Sequence, residues 1–364
     1  MKIVSVLGGY GVFGRRISSA LAAVDGATVR IVGRDPKAGT QFAESIRAEF
    51  RSADLNSDEP LRQAIAGSYL VIHSAGPFQG KDYRVAQMCL DSGAHYLDLA
   101  DARQFVTGIG ALHEAAQRKG LFVSSGVSSV PAITFAMVTA LKPEFRSIDE
   151  IKVALSPGNQ NPRGAATIAA ILTYLGRPLE VWQDGRWTLR SGWGDAHWMY
   201  FPAPVGKRRV HNCDVPDLTL FPSVFGAATV RFYAGVELNL INYTLSGLAW
   251  LRKYFVMKSL HEHADLFLRA SLLLVSFGTK NGSLSVGLRG KGLDGSPIER
   301  RIALVTEDDG PATPSSAAIV LAKKILQHGP PQPGAFPCMG FLTLEELMTH
   351  LRPLGIRCVT TFGP

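Results

Sequence analysis

Apolar and polar positions exchange along the first 125 residues in a regular rhythm. Ile3-Val4-Ser5-Val6-Leu7 is a short, nearly continuous apolar run that ends at glycines, the pattern of a strand buried on both faces of a parallel sheet. From Val12 the period changes, and Ile17, Leu21 and Val24 recur on one side, which predicts an amphipathic helix. The exchange repeats. Strands are predicted at 29–32, 50–53, 69–72, 95–99 and 121–123, and helices at 41–48, 61–66, 82–91 and 103–119. Six strands separated by helices predict a doubly wound parallel sheet with right-handed crossovers.

The rhythm then breaks. After Pro131, a favourable first-turn residue, a helix is predicted to about 141, then a strand at 151–155 and a helix at 165–175. Residues 180–236 are rich in aromatics and turns, and a helical pair is predicted over 238–277 with a break near Met257. Residues 283–289 and 298–305 read as a hairpin, with Asp294-Gly295 near its turn. A helix at 315–327, a proline-rich run at 330–337 and a helix at 344–351 close the chain. The expected organisation is a nucleotide-type α/β domain over 1–130 and an inserted α+β domain over 131–309 for substrate and dimerisation. Residues 310–364 are expected to return to the first domain.

The strongest local signal is Gly8-Gly9-Tyr10-Gly11-Val12-Phe13-Gly14, which contains GxGxxG at Gly9, Gly11 and Gly14. It stands between the first strand and the first helix, the context in which a Rossmann fold binds a dinucleotide. Gly9 is expected to allow the tight turn, Gly11 the approach of a pyrophosphate, and Gly14 the packing of helix on sheet. The helix N-terminus then offers N–H groups and partial positive charge to the phosphates.

The end of the second strand reads Val32-Gly33-Arg34-Asp35. An NAD site ordinarily places a carboxylate there for the ribose hydroxyls. Gly33 vacates that position and Arg34 follows, suited to a 2′-phosphate, so NADP is the expected cofactor. Asp35, before Pro36, reads as the cap of the next helix, with a bond to a ribose hydroxyl as the alternative. Asp54, after the third strand, reads either as an adenine contact or as a cap for the segment at Ser57. Ser74-Ala75-Gly76-Pro77, after the fourth, is placed beside the nicotinamide ribose, because ligands of such sheets bind outside the carboxyl ends of strands.

These residues together resemble the saccharopine dehydrogenase-like NADP-binding family. The resemblance rests on the glycine motif, Gly33-Arg34, and Ala75-Gly76-Pro77-Phe78-Gln79-Gly80 followed by Tyr83-Arg84-Val85-Ala86. It continues through Cys89, Gly93, His95 to Asp101, Ser125 to Pro131, and Pro337 to Glu346. It implies a Rossmann domain, an inserted substrate domain and NADP- or NAD-linked formation or cleavage of secondary amines. The segment 124–131 is uncharged, whereas an ammonium-bearing substrate prefers carboxylates nearby, so saccharopine itself is not the expected substrate.

Hydride transfer asks of the protein positioning and a proton relay. Tyr83, Asp98 and Asp101 are the candidate catalytic residues. Each also has a plainer reading, Tyr83 as an amphipathic helix residue and the aspartates as caps of the helix near Arg103. The expected reaction is hydride transfer to or from an imine, amine or carbonyl of a small metabolite. The alternatives are a nucleotide-binding sensor or scaffold without turnover, and an oxidoreductase of apolar or lipid substrates.

Composition narrows this picture. The chain has 364 residues, 46% hydrophobic and 19% charged, with a formal charge of +8, enough apolar material for two cores. The charge suits an anionic ligand, but the basic residues are dispersed and no nucleic-acid motif occurs. Cys89, Cys213, Cys338 and Cys358 form no CxxC pair and read as free thiols of a cytoplasmic protein, with no metal site. The uncharged stretch 120–141 carries Ser124, Ser125, Gly126, Ser128, Ser129 and Pro131, so strand-turn-helix fits it better than a membrane span. Tyr254 and Lys258 have YxxxK spacing but lie far outside the Rossmann segment, and His261 and His263 are misplaced for one metal on a helix. Arg163 is a candidate carboxylate clamp, and Lys207-Arg208-Arg209 reads as a solvated turn. The tryptophans between Trp182 and Trp198 fill a core, or line a cleft or the interface of a homodimer.

Overall fold

The computed structural model describes residues 1–254 and 260–362. The chain divides into two compact units, Met1–Ile133 with Pro314–Leu342, and Thr134–Thr313 with Thr343–Pro364.

The first unit is built on strands β1 (Lys2–Leu7), β2 (Ala27–Gly33), β3 (Glu49–Ser52), β4 (Leu70–His73), β5 (His95–Asp98), β6 (Phe122–Ser125) and β7 (Gly334–Pro337). They lie in the order β7-β6-β5-β4-β1-β2-β3, every pair parallel among the described residues. The apolar runs explain the centre: Val4, Val6, Leu7, Leu70, Val71 and Ile72 are fully buried, as strands covered on both faces must be. The chain order reverses between β1 and β4, the switch point outside which such sheets bind ligands.

Helix α1 (Gly14–Ala22) turns Ile17 and Leu21 onto the sheet. Helix α2 (Pro36–Ser45) begins well before the predicted 41–48 because Asp35 caps it, accepting the Ala38 N–H at 3.1 Å. It stops at Ser45, just before Arg47 takes a left-handed φ of 57°. Helices α3 (Asp58–Ile65) and α4 (Arg84–Asp91) follow the predicted pattern. The predicted helix 103–119 is instead three pieces, Arg103–Thr107, a turn at Ile109–Leu112 and His113–Arg118. Gly108 interrupts it, and a Cβ there would lie 2.5 Å from the Tyr83 hydroxyl. Within the proline-rich run, for which no element was predicted, Gly334–Pro337 is a strand pairing with β6.

The second unit holds a nine-stranded mixed sheet among the described residues. Its path runs His197–Phe201, Gly206–Asn212, Thr229–Ala234, Phe145–Ser156, Gly282–Gly292, Pro297–Thr306 and Arg357–Phe362. The predicted hairpin is the Gly282–Gly292 and Pro297–Thr306 pair, closed where Gly295 has φ 84° and Asp294 accepts the Ser296 N–H. Residues 310–364 do not return to the first unit as one piece. Pro314–Leu342 does, but Thr343–Pro364 belongs with the second, because Arg357–Phe362 pairs antiparallel with Pro297–Thr306.

Two basic readings change here. Arg163 bonds the Asn159 side chain and the Ser271 carbonyl, so it braces loops within this unit. Arg208 lies in a strand and pairs with Glu237 at 2.9 Å, both nearly buried. Trp193 is buried and stacks on His211, while Trp187 and Trp198 are partly exposed. The break near Met257 and Lys258 of the YxxxK pair lie outside the described residues. No helix of the described residues is long and apolar enough to cross a membrane.

Candidate nucleotide site

The glycine segment lies at the carboxyl end of β1. Gly8 carries the left-handed backbone, φ 74°, and its N–H bonds the Val32 carbonyl at 2.8 Å. The tight turn therefore belongs to Gly8, whereas the sequence placed it at Gly9. Gly9 serves close packing: a Cβ there would come within 2.9 Å of the Val6 carbonyl oxygen and 3.0 Å of Ser18 Oγ. The Ser18 hydroxyl donates to the Gly9 carbonyl at 3.0 Å, tying the turn to α1. Gly14 is the tightest point, since its Cβ would fall 2.1 Å from the Gly8 carbonyl oxygen. Helix and turn touch there, and only hydrogen fits between them.

Gly11 differs from its neighbours. It is exposed, and its Cβ would meet only the Gly8 carbonyl oxygen, at 3.1 Å. The backbone N–H groups of Tyr10, Val12 and Phe13 have no protein partner among the described residues. Phe13 gives α1 no side-chain cap, and no acidic residue stands in its first turn. Unpaired N–H groups at a helix start, beside a glycine without a side chain, fit a pyrophosphate.

At the end of β2, Tyr10 lies over Gly33, and its hydroxyl accepts the Asp35 N–H at 2.9 Å. Arg34 is exposed. Asp54 accepts from the backbone and side-chain nitrogens of Asn56, at 2.8 and 3.1 Å. It thus closes its own turn rather than capping α3. At the end of β4, the Ser74 hydroxyl donates to the Leu7 carbonyl at 2.7 Å, binding this loop to β1. Ala75 presses on Gly8, and Gly76-Pro77 is a cis peptide.

The three candidate catalytic residues fare differently. The Tyr83 hydroxyl donates to the Phe105 carbonyl at 2.8 Å, and burial together with the Asp98 charge raises its pKa. Asp98 is fully buried. Its Oδ1 accepts from Ala100 N at 3.0 Å, Ser125 Oγ at 2.8 Å and Gly126 N at 2.9 Å, so it joins the turns after β5 and β6. Burial pushes its pKa up to about 6, against the lowering effect of those bonds. Asp101 is exposed and accepts from Gln79 Nε2 at 3.1 Å.

Around Asp98 lies a buried polar group that the sequence reading missed. His73 and Asp98 are register partners at the ends of β4 and β5. His73 Nε2 bonds the Ala75 carbonyl at 3.2 Å, and Nδ1 bonds the Tyr96 hydroxyl at 3.0 Å. A carbonyl only accepts, so Nε2 carries the proton. Burial lowers the His73 pKa to about 4, so the ring is neutral at pH 7 and Tyr96 donates to Nδ1. Cys338 follows β7 at the same end of the sheet, its thiol pushed up to about 12 by burial. A histidine directly after the predicted strand 69–72 and an aspartate within the predicted strand 95–99 were the available signal.

Residues 4–123 match the family model "Saccharopine dehydrogenase NADP binding domain". Residues 4–123 thus carry a domain of the saccharopine dehydrogenase NADP-binding type. The glycine loop, the Gly33-Arg34 strand end and the Ser74–Pro77 loop all fall within the matched domain, which is an NADP-binding one. A relative from Arabidopsis thaliana, named a probable mitochondrial saccharopine dehydrogenase-like oxidoreductase, is 28% identical over 116 residues. That match spans 29% of this chain and 26% of the relative's length. Saccharopine dehydrogenase (L-Glu forming) of Saccharomyces cerevisiae has a similar fold over 100% of both chains, with TM-score 0.72 at 16% identity. Homospermidine synthase of Legionella pneumophila, solved with NAD, gives 0.65 at 11% identity over 100% of this chain and 91% of that one. These structures share the expected two-part architecture, a doubly wound sheet with an inserted α+β domain.

Proposed function

We propose that the protein is an NADP-dependent oxidoreductase that moves hydride to or from an imine, amine or carbonyl carbon of a small metabolite. The observation that carries this is the glycine loop at the β1–β4 switch point, with the N–H groups of Tyr10, Val12 and Phe13 unpaired among the described residues. The loop from Gly8 to Gly14 would hold the pyrophosphate, Arg34 the 2′-phosphate, and Ser74 to Pro77 the nicotinamide ribose. Asp54 would border the adenine with the carboxylate oxygen that Asn56 leaves open. The bound nicotinamide supplies the hydride chemistry.

The chain's own residues would position the substrate and manage a proton. Asp98, fully buried, would act by holding the turns at 100 and 126. Asp101 is exposed and so is the group of the three best placed to exchange a proton with substrate or solvent. Substrate recognition is assigned to the second unit, where Trp187, Trp198 and Tyr200 are partly exposed. A homodimer is the proposed assembly.

A second reading is nucleotide binding without turnover, as a sensor or scaffold. It draws on Tyr83 and Asp98, both engaged in internal bonds. Calorimetric titration with NADPH, followed by turnover assays with keto acids, amines and carbonyl compounds, separates the readings. Binding with steady NADPH oxidation supports the enzyme, binding alone supports the sensor, and absence of binding sinks both.

A further inference from the structure

Gly33 is the last residue of β2, where this fold ordinarily places the carboxylate that receives the adenosine ribose. Its φ is not in the left-handed region, so its backbone is one that any residue adopts. The demand for glycine comes from a neighbour. A Cβ on Gly33 would lie 2.4 Å from Tyr10 Cε1, 2.8 Å from the Tyr10 hydroxyl and 2.9 Å from Cζ. The ring is not free to swing aside at no cost: its hydroxyl accepts the Asp35 N–H at 2.9 Å, and it lies tilted by 55° beside the Phe50 ring, 6.5 Å between centroids. Tyr10 is itself part of the glycine loop, between Gly9 and Gly11.

We propose that Tyr10 is a specificity-determining residue of the nucleotide site, selecting a 2′-phosphorylated adenosine ribose. This rests on the dinucleotide reading given above. The ring fills the volume that an acidic side chain at position 33 would need. No carboxylate can then stand there to bond the ribose hydroxyls of NAD or to repel a 2′-phosphate. The bond from Asp35 N–H to the Tyr10 hydroxyl fixes the peptide that follows Arg34, and so holds the cation's backbone at the end of β2. Selectivity is thereby built by exclusion as well as by attraction. Position 33 and position 10 must change together for the preference to change.

The test is a double-mutant cycle on the full chain. NADPH and NADH affinities are measured by fluorescence titration for the parent, Tyr10→Ala, Gly33→Asp and the double variant, with thermal unfolding of each. Gly33→Asp alone should weaken NADPH and gain little for NADH, because the aspartate has no room beside the ring. The double variant should bind NADH at least ~10-fold more tightly than Gly33→Asp alone, one well-made set of charged hydrogen bonds. Gly33→Ala should lower the melting temperature of the parent, and much less in the Tyr10→Ala background. Equal gain of NADH affinity by Gly33→Asp in both backgrounds would overturn the proposal while leaving the nucleotide site standing. A parent that binds neither dinucleotide would overturn the site reading, and the proposal with it.

Discussion

Ala75 stands directly against Gly8. A Cβ on Gly8 would come within 2.8 Å of the Ala75 Cβ, and Gly8 already holds the left-handed φ of 74°. The end of β4 therefore buttresses the glycine loop at the end of β1, and the His73 Nε2–H bond holds the Ala75 carbonyl in turn. Gly8→Ala should meet both the unfavourable backbone region and the contact. The expected loss is about 2–4 kcal/mol in stability, read by urea unfolding. An unchanged midpoint would show that the loop relaxes away from Ala75.

Gly11→Val should behave in the opposite way. The new Cβ meets only the Gly8 carbonyl oxygen, at 3.1 Å, at an exposed position. Thermal stability should stay near that of the parent while NADPH affinity falls below detection in calorimetry, because the side chain occupies the approach of the pyrophosphate. Normal binding by this variant would remove the loop as the phosphate site.

Arg34→Ala should reduce the preference for NADPH over NADH without altering the fold. The residue is exposed, and the neighbouring Asp35 keeps its own bond to Ala38 N. A charged hydrogen bond contributes about 1.5–3 kcal/mol, so about ten- to a hundredfold of the preference should vanish. Parallel titrations of both cofactors decide it, and an undiminished ratio would assign the 2′-phosphate elsewhere.

Asp98 should make stability depend on pH. Its folded-state pKa of about 6 lies above the ordinary aspartate value of 3.8 because of burial. The folded state then holds the extra proton between the two values. That contribution is complete below the unfolded value and is lost as pH rises through about 6. His73, lowered to about 4, works in the opposite sense: its contribution is present above its unfolded value and lost as pH falls through about 4. Asp98→Asn isolates the first effect, since the amide oxygen can still accept from Ala100, Ser125 and Gly126. The stability of this variant relative to the parent should rise by about 2–3 kcal/mol between pH 4 and pH 7. Urea midpoints measured across that range test it, and a constant difference would contradict the assignment.

Local pattern carried the alternation of the first unit. The apolar runs at the centre of β1, β2 and β4 are long enough to declare buried strands, and Asp35-Pro36 and Thr343 through Glu346 declare helix starts by their own hydrogen bonds. The glycine motif, and the vacancy for a carboxylate at Gly33, were legible for the same reason: each is a demand that a short segment makes on its own backbone. The strands Gly334–Pro337 and Arg357–Phe362 were not legible. The first is four residues with glycine and proline, and the second, Arg357-Cys358-Val359-Thr360-Thr361-Phe362 at a sheet edge, has no polar-apolar alternation, so both exist through partners more than 50 residues away in the chain. The same holds for the site. His73 and Tyr96 carried no role in the sequence, Ser125 read as part of a turn and Asp98 as a relay or a helix cap, and only the parallel register that sets His73 beside Asp98 makes them one buried group. The reason Gly33 must be glycine was equally out of reach, because the ring that demands it sits 23 positions earlier in the sequence and meets it only when β1 and β2 pair. Spacing along a chain records what neighbours in sequence require, whereas contact across a sheet depends on register and strand order, which exist only once the sheet has formed.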